Sequence, residues 1–136
     1  SAFYVNELIN YLVAQADESM EIFDLYKKCI SNLKRNNQIE KILRDFELNI
    51  LSILGYEINF LSDYDSNEPI MNGLRYKYSP QSGFSKNEQG YDGKILKEIN
   101  ERKFSKNSLQ ACKEINRTTI NYYFEELNIK SRIFFK

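Results

Sequence analysis

Residues 43–56 read Leu-Arg-Asp-Phe-Glu-Leu-Asn-Ile-Leu-Ser-Ile-Leu-Gly-Tyr, a helical stretch with a crowded apolar face that runs into a glycine stop. On a helical wheel Ile39, Ile42, Phe46, Ile50 and Ile53 gather on one arc, with Leu43 and Leu54 at its edge. A helix over residues 38–54 is therefore predicted to bury that arc. Lys41, Arg44, Leu48 and Leu51 fall on the far side, a second stripe that mixes positive charge with leucine. Two readings of the stripe stay open. It packs against another helix, with Arg44 paired to a local acid, or it captures a partner that carries an acid and an apolar group. Arginine grips a carboxylate through two parallel hydrogen bonds, and the leucines would shelter an aromatic ring beside it.

Helical spacing continues on both sides. Val5, Leu8, Ile9 and Leu12 predict a helix over 3–16, and Ile22, Tyr26, Cys29, Ile30 and Leu33 a second over 19–33. Asp17-Glu18-Ser19 supplies capping side chains between them, and Asn36-Asn37 a turn before the stretch quoted above. Residues 57–91 change character. Asp63, Asp65, Ser66, Asn67, Pro69, Asn72 and Gly73 mark a loop, Leu74 to Tyr78 alternate like a strand, and Phe84 begins a short return strand. Asp92 is a candidate N-cap for a helix carrying Ile95, Leu96 and Ile99. Ser105 would cap a last helix in which Leu109, Cys112, Ile115, Thr119, Tyr123 and Leu127 recur, before a short basic tail at 129–136. The expected fold is mainly α, a compact bundle of about five helices with a small β-hairpin insert at about 57–91.

The 136 residues suit one domain able to bury about two thirds of its extended-chain surface. With 42% hydrophobic and 14% aromatic residues, disorder is not the default. Nineteen basic and nineteen acidic side chains cancel, but residues 1–85 hold eight basic and twelve acidic and residues 86–136 eleven and seven. That asymmetry fits a solvated surface better than a nucleic-acid footprint. Cys29 and Cys112 lie far apart in helical patterns, which implies core thiols in a reducing compartment. No apolar run nears the roughly 18 residues of a membrane helix, and no signal peptide opens the chain. A soluble cytosolic domain cut from a longer protein is expected.

Most catalytic chemistry is missing. There is no histidine, and the five glycines never cluster as phosphate-binding loops require. The run 63–68 lacks the sixth-position glycine and distal glutamate of a calcium loop. Asp45 and Glu47 sit two apart on a helix and point different ways. No enzyme, metal or cofactor is expected. A second basic feature is the C-terminal set: Lys113 and Arg117 on one helix face, then Lys130, Arg132 and Lys136. It is either a solvated surface or a phosphate-contacting one.

The order of motifs resembles the C-terminal domain of the RecO recombination mediators over almost the whole chain. Phe3-Tyr4-Val5-Asn6-Glu7-Leu8 is similar to that domain's opening Tyr-x-Asn-Glu-Leu helix. Leu43-Arg44-Asp45-Phe46-Glu47 with Leu54-Gly55-Tyr56 is similar to its Leu-Arg-x-Phe-Glu…Leu-Gly-Tyr signature. Tyr76-Lys77-Tyr78-Ser79-Pro80 with Gly83-Phe84 resembles the hairpin near its zinc-finger-like insert, and Ile129-Lys130-Ser131-Arg132 with Phe134 its closing Leu-Lys-Ser-Arg-x-Phe.

The resemblance implies a non-enzymatic role in DNA repair within the bacterial cytoplasm and nucleoid. It implies binding of single- and double-stranded DNA, strand annealing, and recombinase loading together with RecR. It also implies capture of the acidic, phenylalanine-ending tail of single-stranded-DNA-binding protein. Arg44 would anchor that tail with Lys41, Leu48 and Leu51, and an alanine at 44 would weaken it while the fold survives. Lys113, Arg117, Lys130 and Arg132 would meet DNA. Members with zinc use four cysteines around the insert, where Asp63 stands here, so a metal-free branch is expected. The family's N-terminal oligonucleotide-binding barrel has no counterpart in these residues.

Overall fold

Apolar residues at helical spacing and one glycine-punctuated hairpin dictate the seven elements of the described residues. The computed structural model describes residues 20–35 and 38–134, with side chains at 21–34 and 38–123. The elements are α1 (Met20–Arg35), α2 (Ile39–Ile53), β1 (Arg75–Ser79), β2 (Gly83–Lys86), β3 (Tyr91–Asp92), α3 (Gly93–Asn100) and α4 (Lys106–Phe134). The described residues are mainly α with one small antiparallel sheet. Its described residues contain four helices where the sequence predicts about five; the helix expected at 3–16 and the turn at 36–37 lie outside them. The chain divides into two compact units, Ser1–Ile58 and Asn59–Lys136.

In the first unit α1 packs on α2. Ile22 and Cys29 are buried on α1. Burial pushes the Cys29 thiol up to about 11, and the nearby Glu47 carboxylate adds to the rise. A thiol held that far from ionisation is a poor nucleophile at neutral pH. α2 ends as its glycine predicts. Gly55 has φ +88°, its N–H donates to Ser52 O at 3.1 Å, and Tyr56 N–H donates to Leu51 O at 2.8 Å. That pair of bonds is the Schellman stop.

The second unit is built on a sheet of order β2-β1-β3, antiparallel throughout. Tyr76 pairs with Lys86 on one side and Tyr91 on the other. Tyr76 and Phe84 are fully buried, and the Phe84 ring meets Tyr78 and Phe60 at centroid distances of 4.8 and 5.4 Å. The third strand escaped the sequence because two residues cannot show a period. α3 packs on α4; Leu96 and Ile99 are buried on the former and Ala111, Cys112, Ile115 and Ile120 on the latter. Gly93 opens α3 where no side chain fits, since a Cβ there would stand 2.1 Å from Met71 O.

Three tyrosines fasten the sheet end to α4. Thr119 Oγ1 gives its proton to Ile115 O at 2.7 Å, so Tyr78 O–H donates to Thr119 Oγ1 at 2.6 Å. Tyr123 O–H donates to Pro80 O at 3.2 Å, and Gln81 donates to the Tyr122 hydroxyl. With no glycine or proline between residues 106 and 134, α4 stays helical through Phe134. The expected basic tail therefore begins as helix. Correction of that boundary places Lys130 and Arg132 within α4's span.

Asp92 caps α3 as the sequence predicts, accepting Lys94 N–H at 2.9 Å and, more weakly, Gly73 N–H at 3.3 Å. The Lys94 amide bond, helped by Gly73 and by the Arg75 and Lys94 charges, holds the Asp92 carboxyl below its ordinary value. A carboxyl whose folded pKa is depressed contributes stability that is present above its unfolded value, and that contribution falls away as pH drops through the folded value. Asp92→Asn caps equally well at pH 7. We expect it to leave stability there within a few tenths of a kcal/mol of the parent and to flatten the acid limb below about pH 4, as followed by urea unfolding at stepped pH. An unchanged acid limb would show that the Asp92 contact is not populated.

Candidate partner-docking site

The stripe on α2 is positioned by the helix itself, since residues 41, 44, 48 and 51 share one side. The outcome is burial, not an open shelf. Leu51 is fully buried, Leu48 is 5% exposed and Arg44 only 3%. Lys41 is half-buried. The seven buried positions of α2 include Leu43, Phe46 and Ile50 as well as Arg44, Glu47, Leu48 and Leu51. At 3.6 residues per turn they span roughly 200° of the helix circumference. The stripe that the sequence left open is thus settled as to burial, and the predicted arc is corrected at its ends. The second stripe is inside, and Ile39 and Ile53, expected in the core, are 48% and 38% exposed at the helix ends.

Burying an arginine is tolerable only if its charge is met. Glu47, three residues on, takes the Nε–Nη2 edge, with Nε 2.7 Å from Oε1 and Nη2 donating to Oε2 at 3.2 Å. Glu40, four residues back, accepts from Nη1 at 3.0 Å. The two acids differ in setting: the Glu47 side chain is 4% exposed and that of Glu40 is 57% exposed. The sequence reading allowed Arg44 a local acid but named neither Glu40 nor Glu47 as that partner. The signal that finds them is an acid at i−4 and at i+3 from a basic residue on a helix.

The basic set lies on α4 in the second unit. Arg117 is exposed and Lys113 half-buried, one turn apart, and neither forms an ion pair among the described residues. The side chains of Lys130 and Arg132 lie outside the described ones. The structure brings Lys41, Arg44, Leu48 and Leu51 together on one helix and keeps Lys113 with Arg117 on another.

The insert does not suit a zinc ion. Asp63 is buried, and its Oδ1 accepts Asp65 N–H at 2.8 Å and Ser66 N–H at 3.4 Å, an aspartate-closed turn. The two cysteines belong to α1 and α4, outside the insert. Among the described residues no three histidines, cysteines or carboxylates gather as ligands. None of the described helices is long and apolar enough to cross a membrane.

Comparison with known proteins adds a family. The model described as Recombination protein O C terminal matches residues 1–133. The chain is similar to DNA repair protein RecO of Mannheimia succiniciproducens, 34% identical over 141 residues that cover 99% of the chain and 62% of the relative. It is 33% identical to DNA repair protein RecO of Haemophilus influenzae over 140 residues, covering 99% and 59% of the two chains. With the Vibrio cholerae protein of the same name it shares 33% over 141 residues, covering 100% and 58%. The chain spans about three fifths of the length of these curated relatives.

Proposed function

The chain belongs to the Recombination protein O C terminal family, and from that premise we propose that it serves DNA repair and homologous recombination as a binding module of a recombination mediator. The single observation that carries this reading is the family match over residues 1–133. In this role the protein is not an enzyme, needs no cofactor, and works in the bacterial cytoplasm. Its partners are single- and double-stranded DNA, RecR, and the acidic tail of single-stranded-DNA-binding protein. It assists strand annealing and recombinase loading.

The tail's carboxylates meet Arg44 at its Nη1 edge, the edge whose present acceptor is exposed. Lys41, half-buried beside it, adds positive charge. Leu48 and Leu51 contribute by bracing Arg44 from inside, since buried leucines cannot offer a shelf for a ring. DNA phosphates meet Arg117 and Lys113, with Lys130 and Arg132 further along α4. The burial of Arg44, Leu48 and Leu51 also favours a second reading, a purely structural helical domain with no ligand of its own.

Titration separates the two. A labelled acidic peptide ending in phenylalanine is expected to bind the chain with micromolar affinity, and its failure to bind would favour the structural reading. Binding to single-stranded DNA is expected to weaken steeply with salt. Arg117→Ala is expected to reduce the slope of log affinity against log salt by about 0.7, the share of a single neutralised phosphate. An unchanged slope would remove Arg117 from the DNA surface.

A further inference from the structure

Building on the tail-capture reading above, we propose that Glu40 is an internal stand-in for the partner's carboxylate: it holds the outer edge of the Arg44 guanidinium and is displaced when an acidic chain end docks. The two edges of that guanidinium are unlike. The inner one meets Glu47 at two atoms, Nη2 donating to Oε2 at 3.2 Å and Nε lying 2.7 Å from Oε1, both side chains being 4% exposed. Withdrawing Glu47 would leave a buried charge uncompensated, so this pair is fixed. The outer edge donates one hydrogen bond to a carboxylate whose side chain is 57% exposed.

A half-exposed ion pair of this kind is held less firmly than the inner one, because water and salt compete for the Glu40 carboxylate. Arg44 is itself only 3% exposed. Of the two carboxylates that meet it, only Glu40 reaches well into solvent, so the Nη1 edge is the one an incoming carboxylate would approach. An incoming carboxylate restores both the hydrogen bond and the charge balance that Glu40 gives up. Exchange of like for like leaves the outcome to the partner's remaining contacts. The displaced Glu40 stays favourable where it is, in the first turn of α2, where the helix dipole welcomes negative charge. Glu40 thus keeps Arg44 satisfied while the site is empty and sets a threshold that weakly acidic chains fail to cross.

The test is a fluorescence-anisotropy titration of a labelled acidic peptide ending in phenylalanine with a free terminal carboxylate. The unchanged chain is compared with Glu40→Ala, Glu40→Gln and Glu21→Ala. The last removes an equal charge from an exposed position on α1. Circular dichroism confirms that each variant is folded. Glu40→Ala is expected to bind about two- to fivefold tighter than the parent. Glu40→Gln should gain less, since its amide oxygen still accepts from Nη1, and Glu21→Ala should gain little. The difference should shrink as salt is raised. If the parent binds and both Glu40 variants bind no tighter, or if Glu21→Ala gains as much, the stand-in is overturned while tail capture stands. If neither the parent nor any variant binds, tail capture falls and the stand-in falls with it.

Discussion

Glu47→Ala is expected to destabilise the chain by about 3–5 kcal/mol, out of the roughly 5–15 kcal/mol that holds a domain of this size. Removing the inner partner strands a guanidinium inside the protein, and a guanidinium keeps its charge there. The Glu40 carboxylate does not compensate, because it meets only Nη1 and stands largely in water. Replacing both members tells the rest. Arg44→Met with Glu47→Leu keeps the volume, removes both charges, and is expected to fall within about 1 kcal/mol of the parent or above it. Urea unfolding with circular dichroism measures both. A Glu47→Ala loss under 1 kcal/mol would mean that the pair is hydrated in solution.

Burial of the pair also revises an expectation drawn from the sequence. Arg44→Ala leaves Glu47 as the stranded charge, so a loss of stability is expected with it, and a failure of that variant to bind peptide would not by itself identify an anchor. Substitution at exposed Glu40 is the cleaner probe, since it changes what Arg44 faces without uncovering a buried charge.

In the second unit the largest loss is expected at Phe84. Its ring is fully buried between Tyr78 and Phe60, and its backbone oxygen accepts Tyr64 N–H at 2.9 Å, tying the 62–69 loop to β2. Phe84→Ala removes the ring and leaves a cavity that the paired strands cannot close. The expected cost is about 3–5 kcal/mol, against about 1 kcal/mol for Phe84→Leu, which keeps most of the volume. Thermal unfolding of the two variants checks the contrast. A similar small shift in both would place Phe84 outside the core.

The local structure was largely written in the sequence, and the cases show why. Gly55 ends α2, Asp92 starts α3, and Arg75–Ser79 turns back into Gly83–Lys86, because backbone freedom, a capping carboxylate and alternation act over a few neighbouring residues. The family likeness was legible for the same reason, as short motifs in a fixed order, and the match over 1–133 establishes it.

Which side of α2 faces inward was a different kind of question. Periodicity located two stripes on that helix but could not say that both would be covered, since a leucine reads alike on a core face and on a docking face. Only the tertiary structure buries Leu48 and Leu51 and closes Arg44 between Glu47 and Glu40. The physical reason is desolvation. A charge enters the interior when its counter-charges are folded in with it, and the exposure of each counter-charge is set by packing around the helix, which no local pattern encodes.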